Sequence, residues 1–267
     1  MTNARDKIKS IRPSILKLGW VPDDKDKRDL KWKATMRAPQ LPPAIDLANR
    51  AEWKPALDQG ELGSCTAHAI AGAIQYHQIK KKVAVTDPSR LFLYYNARLR
   101  EGHAKQDSGA QIRTIMKSAN KDGACFEKSW PYNINVFTKR PRLACYNAGF
   151  KHRTVGYHRV NVDLISIKKA LAEDFPIVGG IVLYDSVFST STTKSGRLVL
   201  PSIKKQPIGG HAILFVGYDD KRKVLKFRNS WGTEWGDNGY GYLPYSYVTD
   251  SRVLCDDFWT INDGVVE

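Results

Sequence analysis

The spacing of apolar residues changes partway along this chain, and that change limits the possible folds more than any other feature. Between residues 65 and 123 the pattern is helical. Ala67, Ile70, Ala71, Ile74 and Gln75 recur at helical intervals behind Ser64, an N-cap type, which predicts a helix from Cys65 to about Lys81. Pro88 opens a second helix over 88–99, and GAQIRTIMKSANKDG gives a third over 109–121, closed by Gly123. From 176 to 260 the apolar residues fall instead into short β-type runs, IVGGIVLY, HAILFVGYD, KVLKFRNS and YGYLPY, separated by turn residues. Between these regions, VDLISIKKALAEDFP carries an N-cap at Asp163 and a helix that ends before Pro176. Helices and strands kept apart in this way indicate an α+β protein. Two lobes are expected, a mainly helical one over 41–150 and a mainly β one over 151–267, with terminal segments free to cross between them. Residues 1–40 are basic and poor in apolar residues, and they end at the punctuation LPP, residues 41–43. They are expected to lie on the domain as an extension.

With 267 residues, 42% of them hydrophobic, the chain can bury a core without covalent staples. Its formal net charge is +15, but lysine and arginine are scattered along its whole length, with only short clusters at 80–82 and 221–223. That favours a solvated basic surface, and nucleic acid is not an expected partner. No run reaches the roughly 18 apolar residues of a spanning helix. The N-terminus has no apolar core of signal-peptide length. A monomer without a transmembrane segment is expected. Its compartment stays open: cytoplasmic, or secreted if a signal has been trimmed or a non-Sec route is used. The four cysteines show no CxxC spacing and no histidine lies at zinc-finger distance, so neither a metal nor a cofactor is expected.

The stretch DQGELGSCTAHAIAGAIQ, residues 58–75, places Cys65 where a glycine-rich turn meets a helix. Unpaired N–H groups and the helix dipole stabilise a thiolate there and lower its pKa. Gly60 and Gly63 admit a close ligand. A buried structural cysteine fits the same stretch equally well. A thiol nucleophile needs a base. His211 enters an apolar β run after two glycines, although a structural histidine is the commoner occupant of such a place. Asn229, in FRNSWGTEWGDNGYGY, offers an amide oxygen to orient an imidazole, although NSWG also reads as a simple turn. His68, three residues after Cys65, faces one turn deeper into the helix and reads as structural.

Taken together, the order and spacing resemble the papain-like cysteine peptidases. His211 follows Cys65 by 146 positions and Asn229 follows His211 by 18. The resemblance runs from about Leu41 to Ile261, through LPPAIDLANRAEWKPALDQGELGSC, GGHAILFVGYDD and RNSWGTEWGDNGYGYLPYSYV. The GWVPDDKDKRD leader and SCTA are similar to a bacterial, xylellain-like branch. The resemblance implies a two-lobed fold, a helical lobe and a β-barrel-like lobe with the active-site cleft between them. It implies Cys65 as nucleophile, His211 as its partner, Asn229 as orienter, Gln59 as an oxyanion-hole donor and Trp231 as a shield. Ser108, Gly109 and Gly210 match substrate-lining positions. Cys125 and Cys145 are expected to pair across a loop of about 20 residues, which leaves Cys255 without a partner. The chain departs from the family at Leu62, Thr66 and Gly210, where a cysteine, an aromatic and an acidic residue are common.

The implied activity is a thiol endopeptidase acting on peptides or proteins through an acyl-enzyme. The alternatives are a related Cys-dependent acyl transferase or amidase, and a non-enzymatic polyanion-binding module on the same fold. Residues 1–40 stand where a propeptide would, and are expected either to restrain the cleft as in a zymogen or to form a structural strap.

Overall fold

The computed structural model describes residues 18–34, 41–49, 52–153 and 156–262. Its first element, β1 (Trp20–Val21), comes from the N-terminal extension, and β2 (Ala44–Asp46) opens the body of the domain. Helix α1 (Cys65–Lys80) follows, and every residue from Cys65 to Tyr76 is buried. Its alanines and Gly72 give it no polar face, so it packs on all sides, as an all-round apolar helix must. Ser64 occupies the N-cap position without capping through its side chain. Its hydroxyl is drawn to the Tyr132 hydroxyl at 2.6 Å instead.

Helix α2 (Arg90–Arg100) is opened by Ser89 rather than Pro88, since the Ser89 hydroxyl accepts the Phe92 N–H at 3.1 Å. The third helix starts later than its periodicity suggests. Ala110–Gln111 form β3, pairing parallel with β1, so α3 runs only from Ile112 to Lys121. Gly123, at φ +73°, makes the left-handed turn that ends it. After α4 (Leu143–Phe150) and β4 (Gly156–Arg159), Asp163 caps α5 (Leu164–Ala172) by accepting the Ser166 N–H at 2.7 Å.

The remaining strands are β5 (Ile177–Leu183), β6 (Gly209–Asp219), β7 (Val224–Arg228), β8 (Tyr240–Pro244) and β9 (Cys255–Asn262). With β2 and β4 they form a seven-stranded antiparallel sheet in the order β4-β9-β5-β6-β7-β8, with β2 on β6. This path is open rather than a closed barrel. Within the mixed α+β architecture, one hydrophobic cluster joins α1, α2, α3 and α5 to β5, β6 and β9. No helix among the described residues is long and apolar enough to cross a membrane.

The extension is sewn to both parts. β1 lies on β3, and further along Trp32 N–H donates to Arg159 O at 2.9 Å while Arg159 N–H donates to Leu30 O at 2.7 Å. Trp20 is 2% exposed and presses on Gly180 of β5, where a Cβ would lie 2.0 Å from the ring. Its indole N–H donates to Asp257 Oδ2 at 3.1 Å, and the same oxygen accepts the Asp23 N–H at 2.7 Å. Asp257 holds φ +56° within β9, a left-handed turn of the strand that accompanies these contacts with the extension.

Candidate active site

The first residue of α1 faces the first turn of β6. Cys65 is fully buried and its sulfur accepts the Ala212 N–H at 3.3 Å, so the helix N-terminus and His211 meet across the two elements. The imidazole of His211 is held from behind. His211 Nε2 lies 2.8 Å from Asn229 Oδ1, which also accepts the Ser230 N–H at 2.8 Å. That oxygen can only accept, so Nε2 carries the proton and Nδ1 is the basic nitrogen. Nδ1 is buried and makes no hydrogen bond. Trp231 stacks on the imidazole at 4.7 Å and 30°, and Phe188 stacks on Trp231 at 6.0 Å. The indole thus covers one face of the imidazole.

Gln59 belongs to the same turn system. Its side-chain amide donates to Leu62 O at 2.7 Å and its oxygen accepts the Ser230 hydroxyl at 2.5 Å. Ser230 therefore ties Gln59 to the Asn229 loop. The glycine turn is held by Asp107, both of whose carboxylate oxygens lie 3.1 Å from Gly63 N. Tyr132 donates to Gln59 O at 2.8 Å. Tyr132 and Phe188 carry no local pattern, and only their tertiary position connects them with the site.

The described start of the extension packs beside Cys65, with the Gly19 N–H facing its sulfur. Leu18 to Val21 run between the glycine turn and β3, with Ala110 N–H donating to Gly19 O at 2.9 Å. A Cβ on Gly19 would lie 1.8 Å from Gly63 O, and one on Gly109 would lie 2.5 Å from Gly19 O. Gly109, next to Ser108, therefore lies against the backbone of the extension. The strand partner of the extension starts one residue later, at Ala110, because Gly109 N–H is spent on the Tyr94 hydroxyl at 3.1 Å. Gly210 sits within β6 opposite Val182.

This burial reverses the expected direction of the Cys65 pKa. Backbone N–H groups of Ala212, Gly19 and Thr66 face the sulfur and favour a thiolate, but complete burial outweighs them and pushes the thiol up to about 11. Burial likewise pushes His211 down to about 4, against the opposing bond to Asn229. At neutral pH the site thus holds a protonated thiol and a neutral imidazole.

His68 turns away from the sulfur. Its Nδ1 lies 3.1 Å from Ser64 O and its Nε2 lies 3.1 Å from Arg90 Nη1, so Nδ1 donates and Nε2 accepts. Cys125 and Cys145 are neighbours in a small cluster with Phe92, but both are free thiols and the expected bridge is not formed. Cys145 Sγ points to Ser129 O at 3.7 Å, while Cys125 stays buried beside it. Among the described residues, no group of three His, Cys, Asp or Glu side chains converges as a metal site.

Residues 41–252 match the profile of the papain family cysteine proteases. A peptidase C1-like protein of Acanthamoeba polyphaga mimivirus is 44% identical over 216 residues, 78% of this chain and 69% of that protein. Human cathepsin L2 is 26% identical over 75% of this chain, which spans 60% of its length. Among solved structures, xylellain, a cysteine protease from Xylella fastidiosa, superposes with a TM-score of 0.87 at 37% identity, covering 95% of this chain and 98% of the other. The digestive procathepsin L 3 of Tenebrio molitor shares the fold at a TM-score of 0.70 and 16% identity, over 97% of this chain and 79% of its own.

Proposed function

From the premise that the chain belongs to the papain family of cysteine proteases, we propose that it is a thiol endopeptidase held closed by its own N-terminal strap. When the strap lifts, water enters the cleft and the burial penalty on both groups falls. The Cys65 thiol then passes its proton to His211 Nδ1, and the thiolate is stabilised by the mouth of α1. The sulfur attacks a peptide carbonyl carbon. The Cys65 N–H and the Gln59 amide hold the oxyanion. His211 returns the proton to the leaving amine as the C–N bond breaks, leaving an acyl-enzyme. His211 then takes a proton from water, hydroxide adds to the thioester, and the C–S bond breaks to release the acid.

Asn229 keeps the imidazole in the tautomer this sequence needs, and Trp231 keeps water off the bond that does so. The cleft would lie between lobes spanning 41–150 and 151–267, with residues 1–40 as the gate. The observation that supports this reading best is the 2.8 Å bond from His211 Nε2 to Asn229, which leaves Nδ1 bare on the imidazole next to Cys65. An epoxide warhead tests it. Labelling at Cys65 after strap removal, lost in Cys65→Ala, is expected together with cleavage of peptide bonds in a folded protein substrate. A folded, strap-free chain that neither labels nor cleaves would end the proposal.

A further inference from the structure

From Lys128 to Val162 the chain carries no aspartate or glutamate, while seven lysines and arginines fall in the same stretch. Its first half folds into a compact loop. Asn133 caps a 3₁₀ turn over Ile134–Val136 by accepting the Asn135 N–H at 3.0 Å, and Arg142 leads into α4. This loop surrounds a cavity of about 550 Å³, lined by Trp130, Pro131, Val136, Lys139, Arg140 and Arg142 among others. None of its lining residues is one that holds Cys65, His211 or Asn229.

Nothing acidic offsets the three cations. Among the described residues no carboxylate pairs with Lys139, Arg140 or Arg142, and all three are exposed. Arg140 hydrogen-bonds the Tyr146 hydroxyl, a neutral group, and its guanidinium lies 5.8 Å from that ring. The nearest acid before them in sequence, Glu127, is already engaged. Its carboxylate accepts the Tyr132 N–H at 2.6 Å and pairs with Arg90 at 2.9 Å. Lys105 donates to Thr138 O at 3.5 Å and so brings a fourth cation to the same loop. Like charges gathered on one concave surface attract and hold an anion.

The apolar part of the surface selects the kind of anion. Trp130, Pro131 and Val136 line the cavity, and Ile134 and Leu143, next in sequence to the lining residues Asn133 and Arg142, are 39% and 75% exposed. A phosphate or sulfate polymer offers little to cover such groups. A peptide offers both parts: carboxylates that match the fork of arginine, and side chains for the apolar surface. We propose that this cavity is a docking site for an acidic segment of a partner protein, in which aspartate or glutamate is interspersed with apolar residues.

Fluorescence anisotropy of a labelled peptide of mixed Asp, Glu and Leu tests this, on the full chain carrying Cys65→Ala so that the probe is not hydrolysed. Saturable binding that weakens as salt rises is expected. Lys139→Gln, Arg140→Gln and Arg142→Gln together are expected to weaken it about tenfold or more. Removing as much charge at the other basic cluster, by Lys221→Gln, Arg222→Gln and Lys223→Gln, is expected to leave it within about twofold. All six residues are exposed, so both variants alter surface charge and not the core. No saturable binding, undiminished binding in the first triple variant, or equal loss in both would overturn the site. A heparin fragment or an oligonucleotide of the same charge that binds as tightly as the peptide would overturn the peptide as its occupant.

Discussion

Gly19 of the strap and Gly63 of the turn before Cys65 approach so closely that a methyl group on Gly19 would stand 1.8 Å from the Gly63 carbonyl oxygen. The atom it would meet is backbone, not the end of a flexible side chain, so Gly19→Val cannot seat without displacing the strap. Overpacking of this kind costs about 1–3 kcal/mol, which shifts a closed–open equilibrium by roughly 5- to 150-fold. The uncut Gly19→Val chain is therefore expected to hydrolyse a peptide substrate faster than the unaltered chain by a factor in that range. Equal rates, with the strap still protected from added protease, would show that the strap does not gate the cleft.

Closure also sets the pH response of the thiol. In the strapped chain Cys65 stays protonated up to about pH 11 and His211 stays neutral down to about pH 4. Alkylation of Cys65 by iodoacetamide should be slow across pH 6–9 in the closed chain and rise only toward about 11. Admitting water lowers the thiol pKa and raises the imidazole pKa, so Gly19→Val should alkylate readily at neutral pH. Pseudo-first-order rates over a pH series would reveal identical profiles if burial under the strap were not the cause.

Two variants separate positioning from oxyanion stabilisation. Asn229→Ala frees the imidazole, and misplacement of a reacting group by about 1 Å costs on the order of 100-fold in kcat. It should also displace the pH–rate profile, because the Nε2 proton loses its acceptor. Gln59→Ala removes an oxyanion donor, expected to cost about 100- to 1,000-fold in kcat. It should leave the pH profile of Cys65 alkylation in place. The pair of profiles measured on unstrapped protein distinguishes the two roles.

The anchor of the strap carries its own pH dependence. Burial, and then the charge of Asp257, push the Asp23 carboxyl up to about 7, against the Arg113 amide and the Trp259 indole, which donate to it. Arg159 bridges Asp257 at 2.6 Å and Asp256 at 3.3 Å, and Arg113 pairs with Asp29 at 2.7 Å. A raised carboxyl pKa means that the seated strap binds a proton which the released strap gives up above its ordinary value of 3.8. Seating is therefore strongest at acid pH, weakens as pH rises from about 4 to about 7, and is level beyond. The limit is about tenfold per pH unit. Trp20 fluorescence and proteolytic sensitivity of the uncut chain should follow that direction, and a flat or opposite trend would separate Asp23 from the latch.

Much of the site could be read in the chain because its chemistry lies in contiguous motifs. The turn before Cys65, the glycines before His211 and the NSW tripeptide at Asn229 each fix a local geometry that survives without tertiary detail. Helix and strand character followed from apolar spacing for the same reason. Other features depended on distant partners. Ser64 lost its capping role to Tyr132, 68 positions away, and β1 claimed the residues that would have begun α3. The direction of the Cys65 pKa turned on its complete burial in the fold, which outweighs the N–H groups facing the sulfur, Gly19 of the strap among them. Neighbouring thiols at Cys125 and Cys145 show that closeness in the fold does not oblige a bond.

Trp20 has a final implication for how such an enzyme idles. Its ring fills the hollow over Gly180 as any core residue would, yet under the proposed function it belongs to the segment that moves when the cleft opens. Exposing roughly 200 Å² of indole surface at about 25 cal/mol per Å² costs about 5 kcal/mol. At equilibrium that leaves about one molecule in several thousand open. The uncut chain would then have a small, constant leak of activity rather than none. That leak would scale with anything that strengthens or loosens the packing of a single tryptophan.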